Sequence, residues 1–180
     1  MPTIHILCSS ALLLVASGTS PQQLLAQAVK KQATANEGVR LDSDSKALVG
    51  TWKLVSWQVI TENQSAQNPF GAHPKGYLVL TAEGRTIVLT AAENRRAGMG
   101  DSERAALHKS MLAYSGRYRV EGHDLITVVD VSWNHEWNGT EQRRHFRIEG
   151  DKLFVESIPA PSILFPDQTD CRRVVWEREK

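Results

Sequence analysis

The chain has only two cysteines, Cys8 and Cys171, too few for a disulfide framework. Cys8 sits in an apolar N-terminal run; if that run is removed, Cys171 has no partner and stability rests on the core. No H-x-H or C-x-x-C pair occurs, so the usual zinc signatures are missing. An excess of charge is missing too, since 21 Lys and Arg stand against 20 Asp and Glu. That balance gives no electrostatic footprint for nucleic acid or an anionic membrane surface. The apolar run IHILCSSALLLVASG falls short of the roughly 20 residues a membrane-spanning helix needs. Internal repeats and low-complexity tracts are absent as well.

The apolar run has the length of a signal-peptide core, and Ala26-Gln27-Ala28 supplies a small-x-small cleavage pattern. Its preceding residues, MPTIHI, carry no Lys or Arg, which leaves a buried N-terminal helix as the competing reading. Residues 1–28 are therefore expected to be a signal peptide, with export to the periplasm or the exterior. Cys8 lacks the small residues of a lipoprotein anchor. Residues 29–47 are polar, mixed in charge and poor in large apolar groups, the composition of a flexible linker. One domain, 48–180, remains, with no integral membrane segment in the mature chain.

Within that domain, short β-branched and aromatic runs alternate with turn residues. Eight strands are expected, at 49–60, 76–81, 85–90, 114–121, 124–132, 140–149, 152–157 and 171–178. Ala82-Glu83-Gly84, Gly122, Asn138-Gly139 and Gly150 supply the hairpin turns. The pattern is a meander, closed as a barrel or folded as a sandwich. DSERAALHKSML, 101–112, is the exception. Its helix formers carry only a loose apolar stripe, so a short helix over a barrel end, a possible lid, is expected between the third and fourth strands.

Gly50-Thr51-Trp52 resembles the lipocalin Gly-x-Trp signature, whose Trp closes one barrel end beneath an Arg of the last strand. Here CRRVVWER offers Arg172 or Arg178. More closely, the chain resembles the short bacterial and fungal lipocalin-like domain. The matching motifs are GTWKLVSW, GYLVLTAEGRTIVL, YSGRYRV, WNG followed by Gln142 and Arg144, GDKLFVES and VVWERE, in that order over 48–179. The resemblance implies an all-β fold, an eight-stranded up-and-down antiparallel barrel holding a small, mostly apolar molecule. Some related proteins are isomerases or cyclases, so fold alone does not give function. One departure is Trp133-Asn134-His135-Glu136, where the family usually has a proline before its Trp.

If Asn138-Gly139 is a two-residue turn, Trp137 faces Thr140, His135 faces Gln142, Trp133 faces Arg144 and Val131 faces Phe146. These residues, with Val129 and Ile148, share one face, expected to point inward with Trp133, His135, Gln142 and Arg144 at the mouth. Asp130 and Arg147 pair on the outer face. His135 and His145 then lie on opposite faces, which argues against zinc; haem ligation by His135 stays open, and no cofactor or metal is expected. The family pattern places Tyr114 and Tyr118 inward as well. The expected ligand contacts are thus Tyr114, Tyr118, Val131, Trp133, His135, Gln142, Arg144 and Phe146. Arg144 has two readings, a clamp on a carboxylate or enolate oxygen or a residue that closes the barrel over a Trp. Trp57 is expected on the strand face opposite Trp52, packed beneath the helix or a terminus.

Three functions follow. The leading one is binding or carriage of a small hydrophobic molecule. The alternative is an isomerase or cyclase using His135, Arg144 and Tyr118 in general acid–base chemistry. The third is an interaction module built on the apolar loop 158–170, with Ile163, Leu164 and Phe165. No nucleophile–base–orienter set is legible, which places binding ahead of catalysis.

Overall fold

A computed structural model describes residues 43–61, 65–162 and 168–180. The leader 1–28, most of the linker, and Ile163, Leu164 and Phe165 lie outside the described residues. A short helix α1 (Ser43–Leu48) precedes β1 (Gly50–Thr61), β2 (Lys75–Leu80) and β3 (Arg85–Ala91). Helix α2 (Asp101–Lys109) leads into β4 (Met111–Glu121) and β5 (Asp124–Ser132). A single 3-10 turn, His135–Trp137, connects to β6 (Glu141–Glu149) and β7 (Lys152–Ser157). A two-residue strand β8 (Ala160–Pro161) and the long β9 (Thr169–Arg178) complete the order.

Consecutive strands pair antiparallel from β1 to β7, β7 pairs with β9, and β9 returns to β1. The result is a closed eight-stranded up-and-down barrel, with β8 a short ribbon on β9. Among the described residues no helix is long and apolar enough to cross a membrane.

The two ends differ in their connections. Short hairpins at 81–84, 122–123 and 150–151 gather at one end, together with the start of β1 and the end of β9. Here Leu48 and Trp52 are fully buried, and the Trp52 indole N–H donates to the Leu48 carbonyl at 2.9 Å. The Arg178 guanidinium lies 4.0 Å over the Trp52 ring and donates to the carbonyls of Val49, at 2.9 Å, and Ala47. Arg178, not Arg172, is therefore the arginine over the Gly-x-Trp tryptophan. Residues 43–47, assigned by composition to the linker, instead form the plug of this end, because Leu48 buries and supplies the indole's acceptor.

All the long connections gather at the opposite end, between β1 and β2, β3 and β4, β5 and β6, and β7 and β9. Helix α2 sits in one of them and buries none of its residues. Its cap is Gly100, with Glu103 accepting from the Gly100 and Met99 amides at 2.9 and 2.8 Å.

Two β-bulges interrupt the alternation. In β1, Leu54 pairs with Trp176 while Ser56 pairs with Val175, so Val55 is an extra residue and the inward face changes parity. Trp52 and Trp57 are consequently both buried, and Trp57 stacks on Phe70 with ring centroids 4.5 Å apart. The expectation that Trp57 lies on the face opposite Trp52 is corrected by that bulge. In β5, Ser115 pairs with Val131 while Gly116 pairs with Val129, which makes Asp130 the extra residue. A Cβ at position 116 would lie 2.1 Å from the Val128 carbonyl oxygen, so this close crossing requires glycine.

Candidate ligand-binding site

Inward side chains near the long connections enclose a cavity of about 50 Å³. Its aliphatic wall is Leu78, Val88, Leu112, Leu125, Val155 and Val174. Trp57, Tyr114, Trp137 and Trp176 add aromatic surface, and Thr90, Thr127, Arg144 and Arg172 are its polar members. The strands hold all of these except Trp137, which is carried by the 3-10 turn and packs edge-on against Tyr114, centroids 5.6 Å apart.

Arg144 enters from β6. Its Nη1 donates to the Arg143 carbonyl at 2.8 Å and its Nη2 to the Gln142 side-chain oxygen at 2.9 Å. Gln142 is in turn fixed by donating to the Thr140 hydroxyl at 3.0 Å. Burial pulls the Arg144 pKa below the ordinary arginine value; neighbouring Arg172 pulls the same way and Tyr114 opposes it. No carboxylate pairs with Arg144 among the described residues. Burial also pushes the Tyr114 hydroxyl upward in pKa, partly offset by Arg144.

Arg172 enters from β9 with 8 % of its surface exposed. It faces Asp170, whose side chain is fully buried, across 3.3 Å. Neither Asp170 oxygen nor the Arg172 Nε has a hydrogen-bond partner among the described residues. The cavity region thus contains two guanidinium groups and one carboxylate.

The structure brings together only part of the expected contact set. Tyr114 and Arg144 line the cavity, and Gln142 orients Arg144. Phe146 is inward and buried but packs deeper, beside Val155 of β7. Tyr118 is inward too, yet its hydroxyl donates to the Thr81 carbonyl at 2.8 Å, at the end with short hairpins. The remaining three are corrections. Val131 is 59 % exposed because the bulge at Asp130 turns it outward. Trp133 packs outside the cavity against Trp137, centroids 5.2 Å apart, and beside His108. His135 is exposed in the 3-10 turn, 3.3 Å from the Asn138 amide.

The cause of the last two is the hairpin. The expected two-residue turn would pair Trp137 with Thr140, whereas Thr127 pairs with Gln142 and Val128 with Glu141. The connection closes with the Val129 amide donating to Thr140 and the Gly139 amide to Val129. Because the shift is an even number of residues, the inward face of β6 survives, and residues 133–137 leave the sheet. Asp130 pairs with Arg85 and Ser115, and Arg147 with Glu149, in place of the expected Asp130–Arg147 pair. His135, exposed in that turn, does not line the cavity and so is not placed to ligate a haem inside it.

Arg172, Asp170 and Trp57 were missed. The first two were within reach: Asp170, Arg172, Val174 and Trp176 alternate along β9, and a buried Trp176 fixes that parity. The lipocalin-like domain model matches residues 49–179. The chain belongs to the lipocalin-like domain family. No curated protein is detectably similar to it in sequence. Similar solved structures include a lipocalin-like protein from Bacteroides uniformis, at 10% identity and TM-score 0.40, covering 73% of this chain and 98% of that one. An uncharacterized protein from Bacteroides eggerthii gives 11% identity and TM-score 0.37 over the same shares. A redesigned β-barrel gives 8% and 0.39, covering 76% of this chain and 95% of its own.

Proposed function

We propose that this lipocalin-like barrel binds a small, mostly hydrophobic molecule in its interior, entering at the end with the long connections. The observation that carries the reading is the cavity's make-up, an aliphatic and aromatic wall with a few placed polar groups. At about 50 Å³ it is smaller than the roughly 300–1,000 Å³ of typical ligand pockets. A ligand must therefore displace a lining side chain. Trp137 is the one whose backbone belongs to a connection rather than a strand, so its movement enlarges the cavity at least cost to the sheet.

The enzyme reading has lost its reacting groups. His135 is outside the barrel and Tyr118 is tied to Thr81, so the acid–base set does not converge on Arg144. Export through residues 1–28 remains part of the proposal on sequence grounds, and N-terminal sequencing of the mature protein checks it. Binding itself is tested by titrating the protein with uncharged N-phenyl-1-naphthylamine and following tryptophan-to-dye energy transfer, since Trp57, Trp137 and Trp176 line the cavity. Saturable one-to-one binding that Val174→Phe abolishes supports the reading. Absence of saturable binding, or binding indifferent to Val174→Phe, overturns it.

A further inference from the structure

Among the described residues, the interior carries more positive charge than is neutralised. Arg144 and Arg172 line one cavity and are close enough that Arg172 disfavours the charge on Arg144. Among the described residues one carboxylate, Asp170, stands beside them, and it faces Arg172. A charged group taken from water into an apolar barrel costs several kcal/mol unless it is paired, and Arg144 is held by two neutral acceptors alone. Those bonds use two of its five N–H donors. Arg172 adds a buried Nε–H with no acceptor among the described residues. Unmet donors on two cations in one otherwise apolar space are the complement of an anion.

Building on the barrel-binding reading above, we propose that the ligand is an amphipathic monoanion, a carboxylate on a hydrophobic body, whose carboxylate sits between Arg144 and Arg172. Three features select this class. Two guanidinium groups against one carboxylate leave a formal excess of one positive charge, which a monoanion balances and a phosphate dianion exceeds. The planar fork of a guanidinium matches a carboxylate's two oxygens. Apart from Thr90, Thr127 and Tyr114, the rest of the wall, including Val88, Leu112, Val155 and Trp176, is apolar and offers an organic body the contact that a hydrated inorganic ion would forgo. Gln142 is a positioning residue here, because its side-chain oxygen holds the Arg144 fork.

The test uses matched pairs that differ only in head group: hexanoate, octanoate and decanoate against the corresponding 1-alkanols, each titrated at pH 7 by calorimetry and by displacement of N-phenyl-1-naphthylamine. At least one carboxylate is expected to bind tenfold or more tightly than its alcohol. Arg144→Met should remove that preference, while Arg144→Lys keeps part of it. The charge-balanced double variant Arg172→Leu/Asp170→Leu should weaken the preference without removing it; circular dichroism establishes that each variant folds. Equal affinity for acid and alcohol, or a preference that persists in Arg144→Met, overturns the anion site while leaving hydrophobic binding standing. Dye binding without displacement by either series has the same meaning. Failure of dye, acids and alcohols together removes the barrel-binding reading itself.

Discussion

The two ends of the barrel use the same residue types to opposite purposes. At the end with short hairpins an arginine lies on a tryptophan and spends its donors on the backbone carbonyls of Val49 and Ala47, so cation, ring and helix α1 form one satisfied plug. At the other end two arginines stand beside tryptophans with donors unspent and, among the described residues, one carboxylate to share. A satisfied cluster stabilises; an unsatisfied one is held in place by the surrounding fold and is available to something else. The difference teaches that arginine and tryptophan in a barrel strand do not by themselves mark either a cap or a site. What decides is whether their polar atoms have partners inside the chain.

The sharpest way to break this contrast is to remove the anchor of each end. Trp52→Ala empties a fully buried site and should cost about 3–5 kcal/mol in chemical denaturation; a loss below 1 kcal/mol would mean that helix α1 does not seal the barrel. Arg172→Met leaves Asp170 buried and unpaired and should cost about 3 kcal/mol, the lower bound for breaking a buried pair. By contrast Arg144→Met removes a half-buried cation that no carboxylate pairs among the described residues. Its effect should lie within about 1 kcal/mol of zero, measured the same way, with the change appearing in ligand choice. If Arg144→Met destabilised as much as Trp52→Ala, the two ends would be alike after all.

The same asymmetry governs what the sequence discloses. The plug is local and made of residues with fixed roles: Gly50-Thr51-Trp52 begins β1, and Arg178 ends β9. Strand positions were legible for a similar reason, since Gly84, Gly122 and Gly150 adopt positive φ in short hairpins and mark where pairs must turn. The cavity was only half legible because its wall depends on parity, and parity is reset twice. The bulge at Val55 brings Trp57 in; the bulge at Asp130 sends Val131 out. A bulge adds one residue without changing composition, so nothing in a hydrophobic pattern announces it. The Asn138-Gly139 pair also misled. Gly139 does take a positive φ, but within a wider connection whose Trp137 is pulled back over the cavity. Gly116 is the one residue that betrays the β5 bulge, through its approach to Val128. Gly116→Ala should therefore cost on the order of 1–3 kcal/mol through overpacking and displaced backbone, whereas Val131→Ser, at an outward position, should stay within about 0.5 kcal/mol. Reversal of that order would restore the unbulged register.

The outer wall provides the smallest effect and a control for both ends. On β4, β5 and β6, Arg119 pairs with Glu121 and Glu141, and Arg143 with Glu121 and Asp124. Hydrogen bonds from Arg119 hold the carboxyls of Glu121 and Glu141 below their usual range, and those from Arg143 do the same for Asp124. Depressed carboxylate pKa values stabilise the fold above the unfolded values of about 3.9–4.3, and that contribution disappears as pH falls through the lower folded values. Because the partners are exposed or half-buried, the contribution is small and screened by salt. Melting temperature should thus decline slightly as pH falls below about 4, and Arg119→Gln with Arg143→Gln should blunt the decline, as should raising the salt to about 1 M. Alcohol binding in the cavity should be unchanged by the double variant at pH 7, because none of these groups lines it. A loss of alcohol binding would show that the outer wall and the mouth act together, and the separation between a sealed end and an open one would then have to include the side of the barrel.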